Sequence, residues 1–501
     1  MRKRYHKTLQ YCLDILNSGT SRACALTNIL MSLANGGHLY KHPVELTLHP
    51  YCHYTYSNLT KVVKHFQYTE AVLRQFFTAY VDPPKRLISG KEYYAFAYDF
   101  TKVVKAYSHS LPNRGYLVAA NPVAGKLGIT AGYVLGALHY LCGEGGFAPM
   151  TSFMRIDTQQ DKDNIALSQI RSFVADNKKQ LEQSVIFLLA MDSAFGKAKI
   201  LSPLHEHKQL VGLIRLRQGM KVWTVYKGEQ KGQGANRIYG DRYYLFSESK
   251  TKKTLRKGVE LTVVQQSIRD LAADEAQTQK RELQNGKSVI ITLRRYNNLL
   301  IRTKQGGKMK DKPFDLVEVT LQDADTGEAV FQKPLFIAIT GTLKAEVSTW
   351  EAYSEYLRRF DAEKVYRFSN NNLLMSAFQT CEATHLDNWV LITQMAYWLL
   401  FVARTDIDQV LCQTWQKYLQ NNKAANDPEN LANKKRRLTP AQVQKSIGTI
   451  FYTFDKSLFL PKVRKNGKGR AKGTKLPKRP KQPIIKKNKK TPKQNPKQLN
   501  C

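Results

Sequence analysis

Acidic residues are scarce in this chain. Its 501 residues include 40 Asp and Glu against 78 Lys and Arg, a formal net charge of +38. A surplus of this size indicates a polyanionic partner, either nucleic acid or an acidic membrane surface. The surplus is not confined to one end, because residues 461–501 hold sixteen Lys and Arg and no acid, which leaves +22 on residues 1–460. We therefore expect a basic folded body as well as a basic tail, and nucleic acid is the favoured partner.

Paired cysteines, long apolar runs and phosphate-binding glycine loops are also missing. The seven cysteines include no Cys-x2-Cys pair, which argues against a disulfide framework and predicts a reducing compartment. The N-terminus lacks the apolar segment of a secretory signal. The most apolar run, residues 389–403, is too short to span a membrane and predicts a buried helix. We expect a cytoplasmic protein with no membrane partner and no nucleotide cofactor.

Hydrophobic patterns divide the chain into five regions. A strand, a short helix and a second apolar strand follow one another over residues 185–217, an order that indicates an α/β fold. Short strands separated by Gly, Asn and Lys then predict a β-rich insertion, and the last region has too little apolar content to form a core. The predicted regions are helical residues 1–82, α/β residues 91–217, the insertion 218–345, helical residues 346–455 and a disordered basic tail 456–501.

Two acids lie at apolar strands. Asp99 is the one acid in an aromatic and β-branched strand, and Asp192 directly follows the apolar run 185–191. Ligands of α/β sheets gather at the carboxyl ends of strands, and neighbouring carboxylates repel each other unless a cation lies between them. With Glu363 as a third ligand, the set could hold one or two Mg²⁺ ions. Spacing alone leaves open the ordinary alternatives, a turn or helix cap for each Asp and surface ion pairs for Glu363.

The segment 350–372 carries an unusual polar face. Read as one helix, it places four side chains within a stripe about 80° wide: Tyr356, Arg359, Glu363 and Arg367. Unpaired charges are costly to bury. We therefore expect this face to meet an anion, a metal ion or both.

These residues match a known signature, Tyr-x2-Arg-x3-Glu-x6-Lys, and the chain resembles the DDE transposases of bacterial insertion sequences. Three blocks carry the resemblance, which covers most of residues 45–490. They read AYDFTKVVKAYSHSLPNRGY from residue 97, MDSAFGKAKILSPLHEHKQLVGLIRLR from residue 191 and YLRRFDAEKVYRFSNNN from residue 356.

The resemblance implies a ribonuclease-H-like catalytic core, with the β-rich insertion between the second Asp and the Glu. It implies that Asp99, Asp192 and Glu363 are the catalytic carboxylates and the ligands of two Mg²⁺ or Mn²⁺ ions. The implied reaction is cleavage at transposon ends followed by strand transfer, in which a 3′-hydroxyl attacks target DNA. In this family the Tyr and Arg of the signature, here Tyr356 and Arg359, hold phosphates near the scissile bond.

One position departs from the signature, because Asn370 stands where the family has Lys. Asn can donate a hydrogen bond to a phosphate but brings no charge, and Arg367 on the same helix could supply the missing cation. Arg215 and Arg217 alternate with Leu on one strand and are predicted DNA-backbone contacts. The basic insertion residues, among them Arg294 and Arg295, are weaker candidates.

The resemblance also implies partners and a location. The expected partners are DNA, as transposon terminal inverted repeats and target DNA, and a second copy of the chain in a homodimer on DNA. The expected location is the bacterial cytoplasm, with nucleoid association when DNA is bound, and residues 1–82 could bind the transposon ends. Two alternatives remain open: a domesticated or inactive transposase-derived DNA-binding protein, and a structure-specific nuclease on the same fold.

Overall fold

The computed structural model describes most of the chain. The described residues are 22–36, 39–50, 52–66, 71–82, 86–118, 128–143, 145–157, 159–177, 185–230, 232–233, 236–256, 259–282, 286–302, 309, 311–421, 438–454, 473 and 479–485. Residues 1–21 of the predicted N-terminal helical region and most of the predicted tail lie outside them.

The described residues form nine α-helices, grouped mainly at the two ends of the chain. They are α1 (Ala23–Gly36), α2 (Tyr56–His65), α3 (Ala71–Tyr80), α4 (Lys162–Asp176), α5 (Ala198–Leu204), α6 (Thr349–Leu357), α7 (Phe360–Asn372), α8 (Ala383–Asn421) and α9 (Pro440–Phe454). Helices α1, α2, α3 and α9 pack against α8 and share one hydrophobic core with the sheet. The N-terminal helices are therefore part of the main body.

The strands occupy the middle of the chain. They are β1 (Leu87–Ile88), β2 (Lys91–Val104), β3 (Gly115–Val118), β4 (Ile129–Tyr140), β5 (Met150–Ile156), β6 (Ile186–Met191), β7 (Leu210–Leu216), β8 (Lys221–Val225), β9 (Tyr239–Tyr244), β10 (Lys250–Arg256), β11 (Val259–Gln265), β12 (Glu275–Glu282), β13 (Ser288–Leu300), β14 (Phe314–Asp323) and β15 (Leu335–Thr340). Thirteen of them form one mixed sheet, and β10 and β11 form a separate hairpin. The α/β class predicted from the sequence is confirmed.

Strand β2 lies at the centre of the first half of the sheet, in the order β5-β4-β2-β6-β7. It pairs antiparallel with β4 and parallel with β6, and β6 pairs parallel with β7. All six residues of β6 are buried, as its unbroken apolar sequence predicts for a strand covered on both faces. Because Tyr98 is in register with Met191 on β6, the residues that follow them, Asp99 and Asp192, emerge side by side.

The β-rich region predicted over 218–345 contains β8 to β15, and it extends the core sheet. Its last strand, β15, pairs antiparallel with β7, so one sheet runs from the core into the insertion. Arg295, one of the weaker candidates on the insertion, is buried, and its guanidinium lies 2.6 Å from Asp315. Arg294 likewise lies 3.5 Å from the buried Glu318.

The apolar run 389–403 lies in α8 and is buried, as predicted. Trp389 and Trp398 are fully buried and donate indole hydrogen bonds of 2.9 Å to the carbonyls of Leu374 and Met150. Among the described residues, one helical stretch, Ala383–Arg404, is long and apolar enough to cross a membrane. Since 94% of its most apolar window is buried inside the protein, it has the character of a core helix, which is consistent with a soluble protein.

Two predictions differ from the structure. Residues 350–372 were expected to be one helix, but a turn at Arg358 and Arg359 divides them into α6 and α7. The tail over 456–501 was expected to be disordered, but residues 479–485 are described and lie against the sheet, where Ile485 forms a parallel bridge with Gly115. The short run of Pro, Gln and Ile in this segment can hydrogen-bond to a strand edge without forming a core of its own.

Candidate active site

Glu355, a buried carboxylate that the sequence did not reveal, connects α6 to the sheet. Glu355 is 5% exposed, accepts a 2.8 Å hydrogen bond from the hydroxyl of Tyr93 and forms ion pairs with Arg86 and Arg358. Tyr93 belongs to β2, so this cluster joins the helix directly to the strand that carries Asp99. The sequence held little signal for this role, because a Glu in an amphipathic helix is ordinarily a surface residue.

Helix α7 is held over the same strand by Tyr366. Its hydroxyl donates a 3.2 Å hydrogen bond to the backbone carbonyl of Asp99, and its ring meets His139 edge-on at 4.9 Å. His139 is fully buried, with Nδ1 2.9 Å from the carbonyl of Ala148. Burial lowers the pKa of His139 to about 4, so this ring is neutral near pH 7. These contacts place the first turn of α7, and with it Glu363, beside Asp99.

Arg359 links two of the three predicted carboxylates. Its Nη1 lies 3.3 Å from Oδ2 of Asp99, and its Nη2 lies 2.7 Å from Oε1 of Glu363. The guanidinium is 4% exposed, whereas the side chain of Glu363 is 46% exposed. Arg359 therefore contributes a buried positive charge between an enclosed carboxylate and a half-open one.

The third carboxylate, Asp192, influences Asp99 electrostatically. The pKa of Asp99 is raised to about 6, mainly by burial and to a smaller extent by the charges of Asp192 and Glu363. Arg359 and a 2.8 Å hydrogen bond from the backbone N–H of Phe100 oppose this shift. All three predicted carboxylates thus belong to one electrostatic cluster at the carboxyl end of β6.

The fit of this cluster to divalent ions was tested on its donors and its geometry. Three carboxylates supply the hard oxygen ligands that Mg²⁺ and Mn²⁺ prefer. However, no group of three or more His, Cys, Asp or Glu residues within the described ranges is close enough to hold a metal ion as it stands. Arg359 occupies the position between Asp99 and Glu363, so metal binding there requires its guanidinium to move aside.

Tyr356 lies in this cluster but is far less accessible than predicted. It is 1% exposed, and burial is the main cause that raises its pKa. Its hydroxyl, like Nε of Arg359, has no hydrogen-bond partner among the described residues. Both atoms are buried, and the Tyr356 and Arg359 side chains also interact with each other. Tyr356 and Glu363 therefore do not share the single helix face that the sequence predicts, because the turn at 358–359 separates α6 from α7.

The predicted cations lie at different places. Arg215 is exposed on β7, close enough for its charge to lower the pKa of Tyr356 against the effect of burial, and Arg217 is exposed two residues further along the chain. Arg367 is exposed and lines a cavity of about 460 Å³ with Lys364 and Thr439. Asn370 is half-buried, and its Oδ1 has no hydrogen-bond partner among the described atoms.

The structure therefore brings Asp99, Asp192, Glu363, Arg359 and Tyr356 into one cluster, with Arg215 at its margin. Arg367 faces a neighbouring cavity on the same helix. No protein-family model matches this chain, and no curated protein matches it.

Proposed function

We propose that this protein is a metal-dependent DNA transposase, which cleaves DNA at transposon ends and joins the freed 3′-hydroxyl to target DNA. The observation that carries the proposal is that Asp99 lies beside Asp192 in the strand register and shares Arg359 with Glu363, although the three carboxylates come from separate parts of the chain. A structural role does not require three carboxylates to approach one another, since their mutual repulsion is unfavourable.

The strand order supports a ribonuclease-H-like core for this site. In the order β5-β4-β2-β6-β7, the central strand carries the first Asp and its parallel neighbour is followed by the second. The third carboxylate comes from α7, which packs against the strand that carries Asp99. The predicted β-rich insertion lies between the second and third carboxylates, as in the family that the sequence resembles.

Asp99, Asp192 and Glu363 are the residues that would hold the two divalent ions. Such ions, when bound, lower the pKa of an attacking water or hydroxyl and stabilise the leaving oxygen. With such ions bound, Arg359 would be free to exchange its two carboxylate partners for a DNA phosphate. The Tyr356 hydroxyl and Arg359 Nε, which lack partners in the described structure, are suited to hold that phosphate in line. Arg215 neutralises charge further along the strand.

The charge of the whole chain supports DNA as the substrate. A net charge of +38 favours association with a phosphate backbone, because each phosphate neutralised by Lys or Arg releases counterions. Paired cleavage of two transposon ends also implies a homodimer on DNA. The proposed location is the bacterial cytoplasm, with nucleoid association through DNA.

The test is a cleavage and joining assay with the DNA that flanks the reading frame, which should contain terminal inverted repeats. We expect Mg²⁺-dependent nicking at the repeat ends and its loss, by at least 1,000-fold, in Asp99→Ala, Asp192→Ala and Glu363→Ala. Asp361→Ala is the matched control on the same helix turn, because Asp361 pairs with Lys364 at 2.8 Å outside the cluster. Cleavage that survives all three carboxylate changes would show that this proposal is wrong.

A second candidate is a transposase-derived protein that binds DNA without cutting it. Asn370 favours it, because this position lacks the cation of the signature, and so does the bridging position of Arg359. The same assay separates the candidates, since this one predicts salt-sensitive DNA binding and no cleavage at any metal concentration. A nuclease on the same fold would cut the DNA without joining the freed end to a target.

A further inference from the structure

The basic tail contains a segment that is built into the fold. Residues 479–485, Arg-Pro-Lys-Gln-Pro-Ile-Ile, run along the loop before β3 and along the start of that strand. The N–H of Gln482 donates to the carbonyl of His109 at 2.9 Å, and the N–H of Ile485 donates to the carbonyl of Arg114 at 2.8 Å. This is strand addition to an open sheet edge, in which backbone hydrogen bonds hold the segment in place.

The receiving loop is rigid. Arg114 is 1% exposed and donates hydrogen bonds to four carbonyls of the loop over residues 105–111. Lys105, at the start of this loop, is equally buried, and its Nζ donates to the carbonyls of Ser376 and Phe378 at 2.6 Å each. A buried cation that fills its donors with carbonyls fixes the backbone around it. The docking edge is therefore already shaped to receive the segment.

The docked segment completes a cavity of about 750 Å³. One wall is the loop that follows β2, the second is the chain at 379–381 after α7, and the third is the tail segment itself. The lining includes the exposed Arg479 and Lys481, together with His109, His42 and the exposed ring of Tyr107. None of the described residues that line this cavity is acidic. Arg479 and Lys481 therefore give its described lining a net positive charge.

This cavity lies on the chain segments that follow the catalytic elements. The first wall belongs to the loop after Val104, the last residue of the strand that carries Asp99, and the second follows the helix that carries Glu363. Both walls are therefore continuous along the chain with elements that carry the carboxylates.

We propose that this cavity is a second DNA-backbone site, built jointly by the core and the docked tail segment, in which Arg479 and Lys481 neutralise phosphates flanking the cleavage point. The inference rests on the proposed function for its substrate but concerns binding only. Within the tail, the charges of Arg479 and Lys481 are thereby held at a fixed place in the fold.

The first experiment tests docking by amide hydrogen exchange on the full-length protein. We expect the amides of Gln482 and Ile485 to exchange at least tenfold more slowly than those of Lys481 and Ile484, for which the structure shows no such bond. The amides of Lys481 and Ile484 serve as internal controls, because each lies next to a protected amide in the same segment. Equal and unprotected exchange at all four amides overturns the proposal.

The second experiment measures binding of a fluorescent 30-base-pair duplex in EDTA at several salt concentrations. We expect Arg479→Gln with Lys481→Gln to weaken binding about tenfold and to reduce the salt slope by about 1.8, the value for two phosphates. Lys489→Gln with Lys490→Gln removes the same charge further along the tail and should have less than a third of that effect. Equal effects of the two pairs overturn the second site.

A third variant separates docking from charge. Ile485→Pro removes the N–H that bonds to Arg114 without altering any charge, and it should weaken duplex binding at least threefold, whereas Ile484→Pro should not. Binding unchanged by Ile485→Pro contradicts a site built by docking.

Since no metal is present in these binding experiments, their results are independent of DNA cleavage. Failure of the carboxylate variants to affect cleavage would sink the transposase proposal and leave this binding site intact.

Discussion

Two buried arginine–carboxylate clusters lie a few residues apart on α6 and α7, and they differ in how completely they are satisfied. At Glu355, two arginines and the Tyr93 hydroxyl fill the carboxylate on all sides. At Arg359, one guanidinium serves two carboxylates while its Nε and the nearby Tyr356 hydroxyl have no partner in the described structure. The cluster at Glu355 has a structural role. The cluster at Arg359 has the incomplete hydrogen bonding expected of a ligand-binding site.

The largest expected effect is a loss of DNA cleavage in the Arg359→Gln variant. Glutamine keeps part of the volume but removes the charge that we expect to hold a phosphate, so cleavage should fall about 100-fold to 1,000-fold, the loss typical of a key electrostatic contact. The assay is Mg²⁺-dependent nicking of end DNA by the purified variant. Arg358→Gln is the matched control, because Arg358 is an adjacent arginine whose partner is Glu355. Equal losses in both variants would contradict a special role for Arg359.

The next effect is on stability, from Glu355→Ala. Removing one partner of a buried ion pair leaves the other charge uncompensated, which typically costs 3–5 kcal/mol. Because Arg86 is partly exposed, we expect about 3 kcal/mol, measured by urea denaturation. Glu346→Ala, which breaks the exposed pair with Lys91, should change stability by less than about 1 kcal/mol. If Glu355→Ala lowers the free energy of unfolding by as little as this control, Glu355 does not hold α6 to the sheet.

The smallest expected effect is a pH dependence of the cleavage rate, caused by Asp99 in the cluster around Arg359. A carboxyl must be ionised to bind a divalent ion, and the pKa of Asp99 is raised to about 6, first by burial. At subsaturating Mg²⁺ the cleavage rate should therefore fall up to tenfold per unit as the pH drops below about 6. More Mg²⁺ should move this fall to lower pH, since the metal competes with the proton.

The control for this profile is Asp387→Asn. Burial also raises the pKa of Asp387 to about 6, but its partner is Arg155, outside the cluster. The variant should keep the profile of the unmodified protein. A profile that is flat down to pH 5 at low Mg²⁺, or one that shifts in Asp387→Asn, would assign the titration to another group.

Local sequence predicted the helices and strands better than it predicted their tertiary contacts. The apolar runs predicted β6, β7 and the buried part of α8 because periodicity and β-branched content act over a few residues. The same reasoning treated 350–372 as one helix. No Pro or Gly marks the turn at Arg358 and Arg359, which depends on contacts with distant residues such as Arg86 and Asp99. The exposure of Tyr356 and the role of Glu355 were missed for the same reason.

The sequence by itself determined the α/β class and the basic character, because these follow from composition and short-range periodicity. Its resemblance to a transposase family implied the three carboxylates with their arginine and tyrosine neighbours. Only the tertiary structure decided that Arg359 lies between Asp99 and Glu363, that Tyr356 is buried and that residues 479–485 join the sheet edge. The physical reason is separation along the chain. Each of these contacts joins residues that are hundreds of positions apart or depends on such a contact, so its geometry is set by how the sheet and helices pack together.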